Sequence, residues 1–324
     1  MQRECLVAPD PPHDVVEHQF TSSTVTPADQ HFEATALSQP HERDARMRIK
    51  RLMSGEERQV LEFLNRQPLK NLQMAGFILD NGLESARNRG AFYGCFDDGY
   101  LIGVALVGHW VFLSGGVETV SIFARIARFL HAPEVSVVLG EAVMVNEFAR
   151  VFADSARQHE AHQDEAKLLL SVNHLDGDTP ELEGLRPAAD ADADEVAHAH
   201  ALTCMELLGK DPTQQNPSRL RECVRARIGM GRIWIVRDER GIGFKTDIAS
   251  ETEQAVYLEG IWTRPDLRGQ GLGTRALRSL CRRLLLRQQV VCLFADAANA
   301  RVNAFYQRVG FTTLAPYRLI RYAN

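Results

Sequence analysis

The stretch that decides the fold is a glycine-rich segment in the last third of the 324-residue chain. It reads Ile261-Trp262-Thr263-Arg264-Pro265-Asp266-Leu267-Arg268-Gly269-Gln270-Gly271-Leu272-Gly273. The apolar run over 255–263 predicts a strand, and the periodic apolar residues over 273–287 predict a helix. A helix begins with unpaired N–H groups and a partial positive charge, and glycines let an anion approach them. The segment therefore predicts a phosphate site, and a pyrophosphate is the expected ligand.

Two arginines in the segment, Arg264 and Arg268, add positive charge that would favour such an anion. Other phosphate motifs do not fit. A dinucleotide fold needs G-x-G-x-x-G after the strand with an acidic residue about 20 positions later, and a P-loop needs G-x-x-x-x-G-K-[ST]. The sequence has neither pattern at this place.

The composition is that of an ordinary globular protein. Hydrophobic residues make up 45% of the chain and charged residues 24%, and the net charge of −5 does not suggest nucleic acid as a partner. No run of about 18 apolar residues predicts a membrane span, and acidic residues near the N-terminus argue against a signal peptide. The six cysteines form no C-x-x-C pair. We therefore expect packed, reduced thiols in a cytoplasmic protein.

Histidine offers no metal site in this sequence. The pairs His159/His162 and His198/His200 lack a third ligand at a metal-binding spacing, so we expect surface histidines and no metal.

The two halves of the chain share one order of predicted elements, which indicates an internal duplication. Each half has helices, a hairpin with a tight turn at Asp98-Gly99 or Asp238–Gly241, and then strands alternating with helices. We predict a mobile tail over 1–47, a first domain over 48–180, a linker over Pro180–Gly184 and a second domain over 185–324.

The glycine segment resembles the acetyl-CoA-binding motif of the GNAT superfamily of N-acetyltransferases, [R/Q]-x-x-G-x-[G/A]. Arg268, Gly271 and Gly273 occupy its fixed positions. A second family pattern follows at the expected distance, with Asn299, Tyr306 and then Gly310-Phe311. The resemblance covers about residues 185–324.

The resemblance implies roles for particular residues. Tyr306 would protonate the departing thiolate, and Asn299 would lie near the pantetheine arm. The strand before the loop would supply a backbone N–H to the thioester oxygen. The implied acetyl-CoA contacts are Ile261, Trp262, Thr263, Arg268, Gly269, Gln270, Gly271, Leu272, Gly273, Thr274, Asn299 and Tyr306.

The first half departs from this motif. At the matching place it has Ser114-Gly115-Gly116-Val117-Glu118-Thr119-Val120, between a strand and a helix predicted from Ser121. There is no Arg or Gln, and Glu118 would repel a phosphate, so we expect this half not to bind CoA productively. The whole chain resembles bacterial tandem proteins in which a degenerate GNAT-like domain precedes an intact one. The implied fold is α/β (α+β), with two tandem GNAT-like domains, each a mixed, mostly antiparallel central sheet flanked by helices.

Glu259 is an acidic residue within the apolar strand before the loop. Alternation along the strand would place it on one face with Tyr257 and Ile261. It is either a general base or anchor for the acceptor amine, or the ion-pair partner of Lys245 on the neighbouring strand.

Two further residues have both a catalytic and a structural interpretation. Tyr306 is either the general acid or, with Phe305 and Val309, part of the helix core. Asn299 is a cofactor contact, a helix N-cap, or both.

The reaction implied is direct attack of an amine on the acetyl thioester, with a small-molecule or peptide amine as acceptor. The alternatives are a non-catalytic acyl-CoA-binding regulatory protein, or transfer of a longer acyl or aminoacyl group. The expected specificity elements, over 194–230, show no pattern that names the acceptor.

Overall fold

The computed structural model describes residues 47–131, 134–153, 161–177, 181–209 and 211–322. The predicted tail therefore lies outside the described residues apart from Met47, and so does Pro180 of the predicted linker. The described chain divides into two compact units. We call residues 47–166 with 316–322 the first unit, and residues 167–315 the second unit.

The first half of the chain has the predicted hairpin between flanking helices. Its strands are β1 (Met47–Arg51), β2 (Gly90–Asp97), β3 (Tyr100–Gly108), β4 (Trp110–Ser114), β5 (Val137–Glu141) and β6 (Ala161–Val172). Its helices are α1 (Glu57–Leu64), α2 (Leu72–Asn81), α3 (Val117–Leu130) and α4 (Ala142–Ala153). Asp98 and Gly99 have φ of 47° and 83°, the two positive angles that a type I′ turn requires.

The second half has helices on both sides of its glycine segment. Its strands are β7 (Arg186–Pro187), β8 (Ile233–Asp238), β9 (Gly241–Glu251), β10 (Ala255–Thr263), β11 (Val290–Asp296) and β12 (Thr312–Tyr322). Its helices are α5 (Ala193–Leu208), α6 (Pro212–Gln215), α7 (Pro217–Gly229), α8 (Leu272–Leu285) and α9 (Ala300–Val309). The sequence predicts a strand over 255–263, a helix over 300–309 and one or two closing strands over 312–322, and β10, α9 and β12 have these bounds.

Two helix starts differ from the predictions. We expected Ser218 to cap α7, but Pro217 already lies in its first turn, and the Oδ1 of Asn216 accepts the N–H of Arg219 at 3.0 Å. The helix predicted from Ser121 begins at Val117, directly after the two glycines of the first half.

The two units have the same sheet topology. The second unit has the order β7-β8-β9-β10-β11-β6, in which β10 and β11 are parallel and the other described pairs antiparallel. The first unit has the order β1-β2-β3-β4-β5-β12, in which β4 and β5 are parallel and the other described pairs antiparallel. The predicted duplication and the mixed, mostly antiparallel sheets are confirmed.

The sixth strand of each sheet comes from an unexpected part of the chain. β6 follows the helices of the first half, yet its residues 167–172 pair with β11. β12 ends the second half, yet its residues 317–321 pair with β5. The division into units falls within these two strands, and not in the segment 180–184 that the composition suggested. The start of β6 reads Ala161-His-Gln-Asp-Glu-Ala166, which is too polar to give a strand signal.

The sheet of the second unit is covered on both faces. On one face, which we call the α8 face, Val256 and Leu258 of β10 pack with Leu277 and Leu280 of α8. On the other, the α5 face, Trp262 packs with residues of α5 and α7 such as Val196 and Val224. The site is built along β10, between these two layers.

Two further findings concern the whole described chain. No helix within the described ranges is both long and apolar enough to cross a membrane. Cys95, Cys204, Cys281 and Cys292 are buried, as the apolar context of the cysteines predicted, and none of the described cysteines forms a disulfide.

Candidate active site

The predicted phosphate loop joins the end of β10 to the start of α8. Gly269 and Gly271 have φ of 76° and 81°, in the left-handed region that favours glycine. A Cβ added at either residue would have nothing within 4 Å, so both face open space. Gly271 is the N-cap of α8 and provides no side-chain cap. The first N–H groups of α8 therefore have no side-chain cap from Gly271, as an anion site requires.

The third glycine of the motif has a different function. A Cβ added at Gly273 would lie 2.8 Å from Oγ1 of Thr263 and 3.5 Å from the ring of Phe305. Gly273 therefore lets the first turn of α8 pack closely against the end of β10 and against α9.

Both arginines of the loop are already paired. Arg268 donates from Nε to the carbonyl of Thr263 at 2.8 Å, and its Nη2 reaches both carboxylate oxygens of Glu206 at 2.8 and 2.9 Å. Arg264 pairs with Asp238 at 2.5 Å and with Asp266 at 2.8 Å. The sequence suggested that these guanidinium groups supply charge for a phosphate. In the structure both guanidinium groups take part in ion pairs that brace the loop.

The parallel strands β10 and β11 separate just before the loop. Their pairing ends at Tyr257 and Cys292, although β10 continues to Thr263 and β11 to Asp296. Beyond Tyr257 the edge of β10 is thus released from its parallel neighbour. A ligand whose phosphates lie at the loop can reach the backbone of β10 along this edge.

A β-bulge interrupts β10 within this released part. Glu259 pairs with Asp247, but the next paired residue, Trp262, pairs with Lys245. Gly260 and Ile261 thus stand opposite a single residue of β9, and Gly260 has φ of 57°. A bulge leaves backbone groups outside the sheet ladder.

The bulge corrects the predicted alternation. Before it, Leu258 faces α8, so Glu259 lies on the opposite, α5 face. After it, Ile261 packs on the α8 face and Trp262 on the α5 face. The prediction that Glu259 and Ile261 share a face was wrong, because the extra residue reverses the parity of the strand.

Glu259 belongs to a buried charged cluster on the α5 face. Its carboxylate Oε1 lies 3.9 Å from Nη2 of Arg227 on α7. Lys245 instead pairs with Asp247, with Nζ and Oδ2 2.5 Å apart. An ion pair with Lys245 was one of the two roles considered for Glu259; the structure gives Glu259 a contact with Arg227 and gives Lys245 an ion pair with Asp247. His200 of α5 is also buried, at 5% exposure, which corrects the prediction that it lies on the surface.

Asp247 and Arg227 were not predicted as parts of this cluster. A signal for Asp247 existed, because Lys245 and Asp247 are charged residues inside an otherwise mostly apolar strand. An isolated glycine in a strand, such as Gly260, is likewise a signal for a bulge.

Nearby cations keep Asp247 of this cluster ionised. Burial alone would raise the pKa of Asp247, but the nearby Lys245, Arg227 and His200 outweigh burial and hold the pKa below its ordinary value. Asp247 is therefore a carboxylate at neutral pH, and Lys245 keeps an anionic partner.

The second motif lies on α9. The Oδ1 of Asn299 accepts the N–H of Val302 at 3.1 Å, so Asn299 is the N-cap of α9, one of the two roles considered for it. Tyr306 is partly buried on the α8 face, with its ring against Phe305 and Phe311. The packing interpretation of Tyr306 is thus correct as far as its ring is concerned. Asn303 donates to the carbonyls of residues 296 and 297 and fastens α9 to the end of β11.

The matching place in the first unit is built differently. α3 follows β4 after only Gly115 and Gly116. A Cβ added at Gly116 would collide with the carboxylate of Glu118, and Thr119 donates from Oγ1 to the carbonyl of Gly116 at 2.7 Å. A carboxylate therefore already lies at the N-terminus of α3, where a phosphate would have to bind.

Within the described ranges, no group of three potential ligands is placed to hold a metal ion.

Comparisons with known proteins agree with this architecture. Residues 215–311 match the family model described as acetyltransferase (GNAT) family. No curated protein sequence matches the chain. The family match thus places a GNAT domain in the second half of the chain, and the first half has a second GNAT-like fold.

Several solved structures share the two-domain fold. A Drosophila protein has a TM-score of 0.58 and 14% identity, covering 85% of this chain and 98% of its own. A GNAT-family acetyltransferase from Colwellia psychrerythraea has a TM-score of 0.54 and 12% identity, covering 85% and 100%. A tandem GNAT protein from the clavulanic acid biosynthesis pathway has a TM-score of 0.52 and 12% identity, covering 86% and 99%. At these identities the similarity concerns the fold.

Proposed function

We propose that the chain is an N-acetyltransferase that transfers the acetyl group of acetyl-CoA to a primary amine of a small molecule or peptide. The observation that carries this proposal is the uncapped N-terminus of α8, behind Gly269 and Gly271, next to the released edge of β10. Acetyl-CoA is the donor that the GNAT family generally uses. It supplies an activated thioester. The loop over 268–274 would hold the pyrophosphate through backbone N–H groups.

The residues of the site divide the chemistry between them. The amine nitrogen attacks the carbonyl carbon, the C–S bond breaks, the nitrogen loses a proton and the CoA sulfur gains one. Backbone N–H groups near Ile261–Thr263 would stabilise the developing oxyanion. Glu259 would hold the amine or take its proton, and Tyr306 would protonate the sulfur. Asn299 would contact the pantetheine arm while capping α9.

A charge placed in the loop tests the binding site. In Gly271→Glu a carboxylate would stand in front of the helix N-terminus, so we expect CoA affinity to fall at least about 100-fold, the loss of a few charge-assisted hydrogen bonds. Gly184→Glu is the matched control, because Gly184 also has a positive φ of 80° and open surroundings but lies far along the chain from the loop. Calorimetric titration with CoA measures both. Equal affinity in the two variants would show that the pyrophosphate binds elsewhere.

Substitution of the two candidate catalytic groups tests the reaction. We expect release of free thiol from acetyl-CoA when a panel of amines is added. Tyr306→Phe and Glu259→Gln should each lower kcat by about 10²-fold or more, as loss of a general acid or base does, with CoA affinity unchanged. If CoA binds, no amine is acetylated and Tyr306→Phe alters nothing, the chain is instead a non-catalytic acyl-CoA-binding protein.

A further inference from the structure

A buried ion pair lies on the α5 face directly behind the bulge of β10. Lys245 is 0% exposed and Asp247 is 4% exposed, and Nζ and Oδ2 are 2.5 Å apart. Burial of two charges carries a desolvation penalty of several kcal/mol per ion, and apolar residues in their place are often equally stable. A contribution to stability alone therefore does not explain why these two charged residues are buried here.

Both members of the pair lie against the place that a side chain of Gly260 would occupy. A Cβ added at Gly260 would lie 2.5 Å from Oδ2 of Asp247 and 3.1 Å from Nζ of Lys245. Nζ of Lys245 also lies 3.5 Å from the carbonyl oxygen of Gly260. Gly260, in its left-handed conformation, thus packs tightly against the ion pair, and no side chain would fit at this position.

The contact with this carbonyl fixes the direction of an N–H group. The C=O of Gly260 and the N–H of Ile261 belong to one trans peptide unit, in which the two bonds point in opposite directions. Because the ammonium of Lys245 attracts the oxygen, the N–H of Ile261 points away from Lys245. A cation at the oxygen end also polarises the peptide and strengthens the N–H as a donor.

We propose that Lys245, held in place by Asp247, is a positioning residue that aims the N–H of Ile261 at the thioester oxygen of acetyl-CoA. This inference rests on the proposed function. It adds two residues of a neighbouring strand, which act through the peptide unit of Gly260, to the stabilisation of the oxyanion. Glu259, on the same face, remains assigned to the amine.

The carbonyl stretch of bound acetyl-CoA tests the inference without any turnover. With a 13C label at the acetyl carbonyl, infrared difference spectra should show a lower frequency when bound to the full chain than in water, because a strong donor polarises the bond. In Lys245→Gln, and in the apolar pair Lys245→Met with Asp247→Leu, the frequency should return most of the way to its value in water. Asp192→Asn is the matched control. It breaks the ion pair of the 2%-exposed Asp192 with Arg186, far along the chain from the bulge, and should leave the frequency unchanged.

Kinetics then separates positioning from folding. We expect both Lys245 variants to lower kcat about 10- to 100-fold, less than the loss of a whole oxyanion donor, with KM for acetyl-CoA changed less than about threefold. The apolar pair should keep the thermal midpoint of the wild type. The inference is overturned if the apolar pair retains both the lowered frequency and the wild-type kcat, or if Lys245→Gln leaves the frequency unaltered. An unshifted wild-type frequency would also overturn it. If the frequency shifts as expected but no amine is acetylated, the proposed function fails and the positioning of the carbonyl stands.

Discussion

At the scale of single residues, the ion pair of Arg264 and Asp238 gives a defined pH dependence. The hydrogen bond from Arg264 lowers the pKa of Asp238 from 3.8 to about 2. A carboxylate with a lowered pKa contributes stability that is fully present above its unfolded value and is lost as the pH falls through its folded value. The contribution of this pair should therefore be complete above pH 4 and disappear towards pH 2.

Thermal unfolding of the wild type and Asp238→Asn at a series of pH values checks this prediction. The difference between their midpoints should be constant above pH 4 and should close as the pH approaches 2. A difference that closes already near pH 4 would mean that Arg264 does not hold this carboxylate. The shape of the phosphate loop would then need another explanation.

The sequence predicted the residues of the loop better than their interactions. The motif located Gly269, Gly271 and Gly273 without any structure, because each glycine satisfies a local backbone requirement. The partners of Arg268 and Glu259 could not be predicted in the same way. Glu206 is 62 residues from Arg268, and which carboxylate reaches a given cation depends on helix docking that no local pattern encodes.

At the scale of elements, substitutions at the N-cap of α9 distinguish the two roles considered for Asn299. Asn299→Ala removes the N-cap and should lower stability by about 1 kcal/mol, whereas Asn299→Ser keeps a capping oxygen and should cost only a few tenths. If the amide also contacts pantetheine, Asn299→Ser should weaken CoA binding while the thermal midpoint stays near that of the wild type. Differential scanning calorimetry and CoA titration of both variants make the comparison. If CoA affinity is unchanged in Asn299→Ser, capping of α9 is the role that remains for Asn299.

Elements were predictable where a local signal existed. β10 and α9 were predicted to the residue, since an unbroken apolar run and a regular helical period mark them. The bulge at Gly260 was overlooked although a glycine inside a strand marks it. α2 and β6 were missed for different reasons. α2 is apolar over most of its length and lacks a clear helical period, and the beginning of β6 is polar.

At the scale of the whole molecule, each sheet takes its sixth strand from the other half of the chain, β6 in the second unit and β12 in the first. These exchanged strands determine which fragments can fold. Residues 167–172 of β6 pair with residues 291–296 of β11 and contribute Leu170 and Val172 to the core. A fragment spanning 167–315 should therefore fold cooperatively and bind CoA. A fragment spanning 185–324, cut at the linker suggested by composition, lacks that strand and should be unfolded or aggregate.

Circular dichroism melts and CoA titration of the two fragments test this expectation. A cooperative melt with wild-type CoA affinity for 185–324 would contradict it. If the isolated fragment 167–315 does not fold, the second unit needs other parts of the chain.

The exchanged strand β12 has a consequence for biosynthesis. Its residues 317–321 complete the sheet of the first unit, but they are synthesised long after β5. The first unit must therefore wait, with the edge of β5 uncovered, until β12 has left the ribosome, although N-terminal units usually fold first. An exposed β5 with the sequence Val137-Val-Leu-Gly-Glu141 is a segment that chaperones would bind in a nascent chain. Synthesis of β12, and not synthesis of the first half, would set the time at which the first unit becomes native.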